Sequence, residues 1–264
     1  MQKNGPLALI FNALVITFML APLVIVCLVA FTPEETLTIP TTSFSLRWFD
    51  QVLHHPDFVQ SFWNSLGLAV SAASISTALA VPAAIALIRY DIPGRGMLQG
   101  LFLSPLIIPH LVLGVAMLRM FSLVGGQGSY GWLIFAHALV VMPYTMRLVM
   151  AALIGFDRSA EHAAYSLGAS NATVFRRITL PMILPGITGG WLLAFINSFD
   201  ELTMSIFVVS PSTVTLPVRM YMYATESLDP MMAAVSALIV FITLGLMLLL
   251  DKVYGLDRIL IGKH

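Results

Sequence analysis

The sequence predicts an all-α membrane protein with six transmembrane helices and both termini on the cytoplasmic side. Three observations carry this prediction. Of the 264 residues, 58% are hydrophobic and only 10% are charged, whereas about 25% of the residues of an ordinary soluble domain are charged. The apolar residues fall in long runs, and the Lys and Arg residues collect in alternate loops. The 13 basic and 13 acidic residues balance, so the chain has no net charge that would attract a polyanion. The composition therefore excludes a soluble enzyme, a nucleic-acid-binding protein and a disordered chain.

Six segments are long and apolar enough to cross a membrane, since a helix spans the hydrocarbon core with about 20 apolar residues. The predicted spans are 7–31, 62–88, 97–121, 130–154, 183–209 and 232–250. The first is too long for the core of a signal peptide, which has about 7–15 residues, so we expect it to be retained. No repeat or second domain interrupts the pattern, which predicts one membrane domain over residues 1–264.

The positions of the basic residues orient the predicted spans, because cytoplasmic loops carry an excess of Lys and Arg. With the N-terminus inside, nine of the 13 basic residues fall in cytoplasmic segments. These nine are Lys3, Arg89, Arg95, Arg158, Arg176, Arg177, Lys252, Arg258 and Lys263. Arg47 and Arg219 fall in outer loops, and Arg119 and Arg147 lie within spans. Both termini are therefore predicted to be cytoplasmic.

The sequence motifs that would indicate covalent chemistry are missing from this chain. Cys27 is the single cysteine, which excludes an internal disulfide and a cysteine-based metal site. No HExxH motif, no nucleophile–base pair at motif spacing and no GxxxxGK[ST] phosphate-binding loop occurs. We therefore expect no catalytic residue, no metal ligand and no cofactor in this chain. His110 and His137, both inside predicted spans, are expected to have packing roles.

The cytoplasmic loop 155–182 is long enough to bind another protein. Residues 160–167 favour a helix, and Gly168 is a typical helix stop because glycine readily adopts the left-handed conformation. Ser170 or Asn171 can cap a second short helix. That helix is predicted to end at Pro181 and to carry three apolar residues on one face, Val174, Phe175 and Ile178. The loop is then either an interfacial hairpin on lipid headgroups or a docking element for a cytosolic protein.

The spacing in this loop resembles the EAA loop of bacterial ABC-importer permeases, which follows the pattern E-A-A-x3-G-x9-I-x-L-P. The matching positions are His162, Ala163, Ala164, Gly168, Ile178, Leu180 and Pro181. His162 stands at the usual Glu position, and Glu161 precedes it by one residue. Asn64-Ser65 and the segment from Arg89 to Arg95 also resemble this family. The resemblance implies a type I permease fold in which the loop contacts a separate ATPase subunit that binds ATP and Mg.

The fifth predicted span contains two adjacent carboxylates, Asp200 and Glu201. A charged side chain in lipid costs about 2.5–3.5 kcal/mol, so both are expected to face protein or water. On a continuous helix Asn197 lies three and four residues before them, and all three share one side. They are either a structural ion pair with Arg119 or a neighbouring subunit, or part of a carboxylate-lined path for a cation.

Two aromatic residues near the outer ends of spans, Trp63 and Tyr221, belong either to an interfacial belt or to a cation-binding surface. The segment from Phe199 to Thr203, followed by Pro211 and Thr215-Leu216-Pro217, resembles permeases of the spermidine/putrescine and opine importers. The resemblance implies a polyamine-like substrate. It also implies a second permease, homologous or identical, two ATPase subunits and an extracytoplasmic binding protein, all at the bacterial cytoplasmic (inner) membrane and without nucleic acid.

Two alternatives to this interpretation stay open at the level of sequence. The first is an ABC permease for another solute, such as an opine, an amino-acid-like compound or an anion. The second is a secondary transporter that works without ATP and uses Asp200 and Glu201 as a proton relay.

Overall fold

A computed structural model describes residues 5–39, 43–227 and 229–254. All regular elements within these ranges are helical, as the sequence predicts. They are α1 (Pro6–Val29), α2 (Arg47–His54), α3 (Pro56–Arg89), α4 (Arg95–Leu103), a 3-10 turn (Ser104–Leu106), α5 (His110–Leu123), α6 (Tyr130–Ile154), α7 (Ser159–Ser166), α8 (Asn171–Val174), a π turn (Phe175–Thr179), α9 (Leu180–Phe199), α10 (Ser205–Val208), α11 (Leu216–Glu226) and α12 (Met231–Tyr254). Lys3, Arg258 and Lys263, used in the orientation argument, lie outside the described residues.

The chain forms two compact units, of which the first comprises the residues up to Gln60 and those from Arg219 onward. In this unit α12 packs against α1 and α2. Its polar segments are fixed by side-chain contacts: the Trp48 indole donates to the Glu34 carbonyl at 3.1 Å, and Arg219 pairs with Asp57 at 3.3 Å.

The second unit, Ser61–Val218, is built around α6. Helix α9 packs on α6 along most of its length, and glycines make the contact close. A Cβ atom at Gly190 would lie 2.8 Å from the Thr145 Cα atom, and one at Gly186 would lie 2.9 Å from the Leu148 carbonyl oxygen. Such short distances show that the two backbones approach one another directly, as small residues allow in membrane helices.

Within the described residues, four helical segments are long and apolar enough to cross a membrane: Pro6–Val29, Pro56–Arg89, Tyr130–Ile154 and Asn171–Phe199. The pair Arg95–Leu106 and His110–Leu123 would be a fifth span, bent by 99°. At the sixth predicted span, the apolar helix over Met231–Gly245 is shorter than these. The predicted count of six therefore stays a prediction.

The third predicted span is broken rather than continuous. The chain bends by 99° between α4 and α5, where Pro105 and Pro109 lie. Neither proline has an N–H group to continue a helical ladder. The predicted span 97–121 therefore consists of two helices rather than one, because the two prolines end α4 and place a short 3-10 turn before α5.

Pro181, in contrast, does not end the helix that precedes it. The chain continues helically from Asn171 to Phe199, and a π turn lies immediately before the proline. The ring of a helical proline strikes the carbonyl four residues earlier, here that of Arg177. Since Arg177 lies inside the π turn, the looser spacing of that turn accommodates the ring.

Candidate functional site

The cytoplasmic loop forms the predicted helix–turn–helix. Asp157 begins α7 by accepting hydrogen bonds from the Ser159 backbone N–H at 2.9 Å and hydroxyl at 2.8 Å, and these bonds lower the pKa of Asp157. Gly168 has φ +84°, the left-handed conformation that was predicted. Ser170 accepts from the Thr173 N–H at 3.3 Å and caps α8. Of the two predicted caps for the second short helix, the structure therefore uses Ser170.

The surface of this loop is partly apolar. His162, Ala163 and Gly168 are exposed, and Leu167 is 89% exposed. In α8 and the π turn only Val174 of the three predicted apolar residues is buried, since Phe175 is exposed and Ile178 half-buried. The π turn that begins at Phe175 changes the angular spacing of these residues, and the shared face stays a prediction.

Glu161 points into the protein rather than toward solvent. Its side chain is 2% exposed and lies 2.8 Å from the Arg89 guanidinium. It also accepts a hydrogen bond from the Thr179 hydroxyl. Burial by itself raises the pKa of Glu161, but the bonds from Thr179 and Arg89 and the charges of Arg89 and Arg158 outweigh burial and lower the pKa. The carboxylate is therefore an internal contact of the loop, whereas His162 at the next position is exposed, and a role of Glu161 in coupling to the ATPase stays a prediction.

Helix α9 ends at Phe199, in the middle of the predicted fifth span of 183–209. Beyond this break, Glu201 is 8% exposed, and its carboxylate accepts from the Met204 backbone N–H at 2.7 Å. The same carboxylate lies 2.6 Å from His110 Nδ1, at the first residue of α5. The Glu201 side chain thus replaces the helical hydrogen bond that Met204 would otherwise make, and it joins this break to the break before α5.

A second histidine holds the two sides of the same break together. The ring nitrogens of His137, a buried residue on α6, lie 2.9 Å from the Ser198 hydroxyl and 2.9 Å from the Ser205 hydroxyl. Ser198 precedes the break and Ser205 follows it. The expected packing role of His137 agrees with these contacts, and His110 is satisfied by Glu201.

The predicted cluster of Asn197, Asp200 and Glu201 on one helix side is wrong, because the helix ends before the carboxylates. Asp200 is exposed whereas Glu201 is buried. The Asn197 amide donates to the Leu193 carbonyl of its own helix at 2.8 Å. Within the described residues neither carboxylate lies at ion-pair distance from Arg119.

A row of aromatic rings extends along α9 to the residue before Asp200. Successive ring centroids are 5.6 Å apart for Trp191 and Phe195 and 6.1 Å apart for Phe195 and Phe199. The Phe199 ring lies 6.3 Å from the Phe62 ring, and the Phe62 ring lies 5.6 Å from the Trp63 ring, measured between centroids. Trp63 is 61% exposed. This row was not predicted from the sequence, although Trp191, Phe195 and Phe199 follow one another there at a spacing of four residues.

Tyr221, the other predicted aromatic site residue, lies on α11 in the first unit and is 48% exposed. Its contact with a cation stays a prediction.

Asn64 and Ser65, in the N-terminal part of α3, hold the loop that follows α10. The Asn64 amide donates to the carbonyls of Ser212 at 3.1 Å and Val214 at 3.0 Å. The Ser65 hydroxyl accepts from the Leu216 N–H at 2.7 Å. These two residues were noted in the sequence only for their resemblance to a family, and the structure gives them a defined structural role.

Two interrupted apolar helices that meet at a buried carboxylate, combined with a helix–turn–helix of the EAA pattern, define a transport permease rather than an enzyme. The family described as the binding-protein-dependent transport system inner membrane component matches residues 76–256. The chain belongs to this family and is the permease subunit of an ABC importer, in which a partner subunit hydrolyses ATP.

Several known proteins are similar over most of the chain. The spermidine/putrescine permease PotC of Haemophilus influenzae is 29% identical, covering 90% of this chain and 93% of its own. The putrescine permease PotI of Escherichia coli is 31% identical, covering 89% and 86%. The molybdate/tungstate permease WtpB of Pyrococcus abyssi is 29% identical, covering 81% and 85%. A bacterial ABC transporter that imports alginate has a similar fold, with a TM-score of 0.70, 17% identity and coverage of 96% and 100%.

Proposed function

We propose that this subunit carries a polyamine-type cation across the bacterial inner membrane. The observation that carries the proposal is Asp200, an exposed carboxylate at a break in an apolar helix. A carboxylate facing lipid would be costly, so Asp200 is expected to face a water-filled path or another subunit. The similarity to PotC and PotI supports a substrate with several ammonium groups.

The aromatic row beside Asp200 matches the chemistry of such a substrate. A polyamine alternates ammonium groups with methylene chains, and aromatic faces attract the former and pack against the latter. Trp63 is the exposed end of the row, and Phe199 in the same row directly precedes Asp200 in the chain, so we assign both the rings and the carboxylate to the proposed path. Asn197 lies one helical turn before Asp200 and belongs to the same proposed path.

The other subunits are assigned by the same proposal. A second permease, identical or homologous, completes the path, and an extracytoplasmic binding protein delivers the solute to the outer loops. Two ATPase subunits bind the cytoplasmic loops, at the exposed surface around His162, Ala163, Gly168 and Leu167. ATP and Mg bind in those ATPase subunits.

Replacing Asp200 with asparagine should raise the KM for putrescine and spermidine by about tenfold, since a hydrogen bond to a charged group contributes about 1.5–3 kcal/mol. The test is ATP-driven uptake by the complex reconstituted in liposomes. Glu226→Gln removes an exposed carboxylate from α11 and is the matched control. An unchanged KM in Asp200→Asn, or an equal rise in the control, would remove Asp200 from the path.

Replacing Gly168 with aspartate should abolish ATP-driven transport while the chain still inserts. No atom lies within 4 Å of the Cβ position at Gly168, so inside the chain the change costs only the left-handed backbone strain of about 1–2 kcal/mol. The matched control is Gly94→Asp, since Gly94 also has positive φ, at +72°, and open space around it. Normal transport by Gly168→Asp, or equal loss in both variants, would contradict docking at this turn.

The similarity to WtpB favours a second candidate, in which the solute is an oxyanion. The exposed carboxylate of Asp200 opposes it by charge repulsion. Uptake of labelled molybdate in place of putrescine by the same vesicles would establish this alternative and refute the cation path.

A further inference from the structure

Four segments of the second unit on the predicted cytoplasmic side meet at two side chains, Arg89 at the end of α3 and Glu161 in α7. The Nη1 atom of Arg89 donates to the Glu161 carboxylate at 2.8 Å. The guanidinium of Arg89 lies over the ring of Phe156, which follows α6, at 5.6 Å from the centroid. Glu161 also accepts from Thr179 in the π turn. Two side chains therefore connect α3, the end of α6, α7 and the start of the α9 span.

The carboxylate side of the contact between Arg89 and Glu161 is buried: the Glu161 side chain is 2% exposed and the Arg89 side chain is 15% exposed. Removing one partner of a buried pair leaves an uncompensated charge, so such a pair is broken only at high cost. Arg158 lies 3.8 Å from the same carboxylate but is 56% exposed, and exposed pairs contribute little. Arg89 is thus the cation that fixes the position of Glu161.

Helix α3 extends from this contact to the opposite side of the unit. Arg89 is its last residue, and Asn64 and Ser65 in the same helix hold the outer loop through Ser212, Val214 and Leu216. Asn64 and Arg89 are 25 residues apart in this helix, which is about 38 Å at the helical rise of 1.5 Å per residue. One helix therefore connects the Arg89 contact with the loop that Asn64 and Ser65 hold.

We propose that Arg89 is a positioning residue that makes α7 and the inner end of α3 move as one body. Movement of the cytoplasmic loop, driven by the ATPase, then reaches the outer loop through α3. The inference rests on the proposed docking of the ATPase at this loop but is independent of which solute is carried. It gives Glu161 an intramolecular role in place of a contact with the ATPase.

The test measures the distance between spin labels in the reconstituted complex, with the Cys27→Ser substitution in this chain and cysteine-free partner subunits. Tyr90→Cys and Tyr165→Cys carry the labels, since both side chains are exposed. We expect the distance between positions 90 and 165 to be the same without nucleotide and after trapping with ATP and vanadate. A clear shift of this distance on trapping in the otherwise native chain would overturn the inference.

Variants in the labelled background separate Arg89 from its neighbours. In Arg89→Gln the distance should shift or broaden on trapping, and ATP hydrolysis stimulated by the binding protein should fall about tenfold or more, because the cost of breaking a buried pair exceeds the energy of a tenfold change. Arg95→Gln removes an exposed arginine from the same turn and should behave as the parent. Equal behaviour of Arg89→Gln and Arg95→Gln would overturn the role of Arg89.

Two further measurements distinguish a failure of the Arg89–Glu161 pair from a failure of the coupling loop. The charge exchange Arg89→Glu with Glu161→Arg should restore the constant distance, and its failure to do so while the complex assembles would count against the pair. Labels at Tyr165 and Gln127 report whether trapping moves α7 at all. An unchanged 165–127 distance would overturn the coupling loop, and the inference with it. A failure of polyamine uptake alone would refute the proposed solute and leave these distances unaffected.

Discussion

Replacing Glu201 with alanine is expected to destabilise the folded chain by about 2–4 kcal/mol, since each buried donor left unsatisfied costs about 1–3 kcal/mol. The variant leaves the Met204 N–H without its acceptor at 2.7 Å and His110 without its partner at 2.6 Å. Both lie where interrupted helices meet, and no continuous helical ladder is available there to take over the lost bonds. The break after α9 is therefore expected to loosen first.

The measurement is thermal unfolding of the purified chain in detergent, followed by the loss of helical signal. Asp200→Ala is the matched control, because Asp200 is adjacent in sequence but exposed, and exposed substitutions usually change stability by less than about 0.5 kcal/mol. Glu201→Gln should lie between the two, since an amide oxygen still accepts from Met204. Equal stability of Glu201→Ala and Asp200→Ala would contradict the structural role of Glu201.

Replacing Gly190 with alanine is expected to destabilise the chain by about 1–3 kcal/mol, the usual cost of overpacking. The new Cβ atom would lie 2.8 Å from the Thr145 Cα atom and 3.2 Å from its carbonyl oxygen. Both are backbone atoms of α6, so the two helices would have to separate. Their separation would also weaken the bond from the Thr145 hydroxyl to the Gly190 carbonyl.

The neighbouring residue is the control for this substitution. At Gly189 the nearest atom to a new Cβ is the flexible Leu148 Cδ1 at 3.5 Å, an ordinary contact. Gly189→Ala should therefore stabilise the helix by up to about 1 kcal/mol through its higher helix propensity. Opposite signs in the two unfolding temperatures are the predicted result, and a gain in stability for Gly190→Ala would contradict the close contact of α6 and α9.

Features set by local chemistry were predictable from the sequence. The fourth predicted span, 130–154, coincides with α6, Tyr130–Ile154, because an uninterrupted apolar run between polar turns determines such a helix. The turn at Gly168 and the cap at Ser170 follow from the backbone freedom of glycine and the side-chain acceptor of serine. The EAA spacing indicated the family for the same reason, since it is a local pattern.

Features set by distant partners were not predictable in this way. Glu161 is buried because Arg89, 72 residues earlier, lies against it. The break after Phe199 is stabilised by His110, 91 residues before Glu201. The residues next to Glu161 and Glu201 in the sequence do not indicate these distant partners. Without the partners, the apolar run over 183–209 predicts one continuous helix. Treating Asp200 and Glu201 as equivalent was wrong for this reason.

The most direct test of the account is to measure what drives uptake of labelled putrescine by the complete complex in liposomes. We predict that uptake requires ATP inside the vesicles together with the ATPase subunits. We predict no uptake when a pH gradient is the only energy source. Uptake driven by the pH gradient in vesicles that contain this chain alone would contradict this prediction, and would instead establish a secondary transporter with Asp200 and Glu201 as its proton relay.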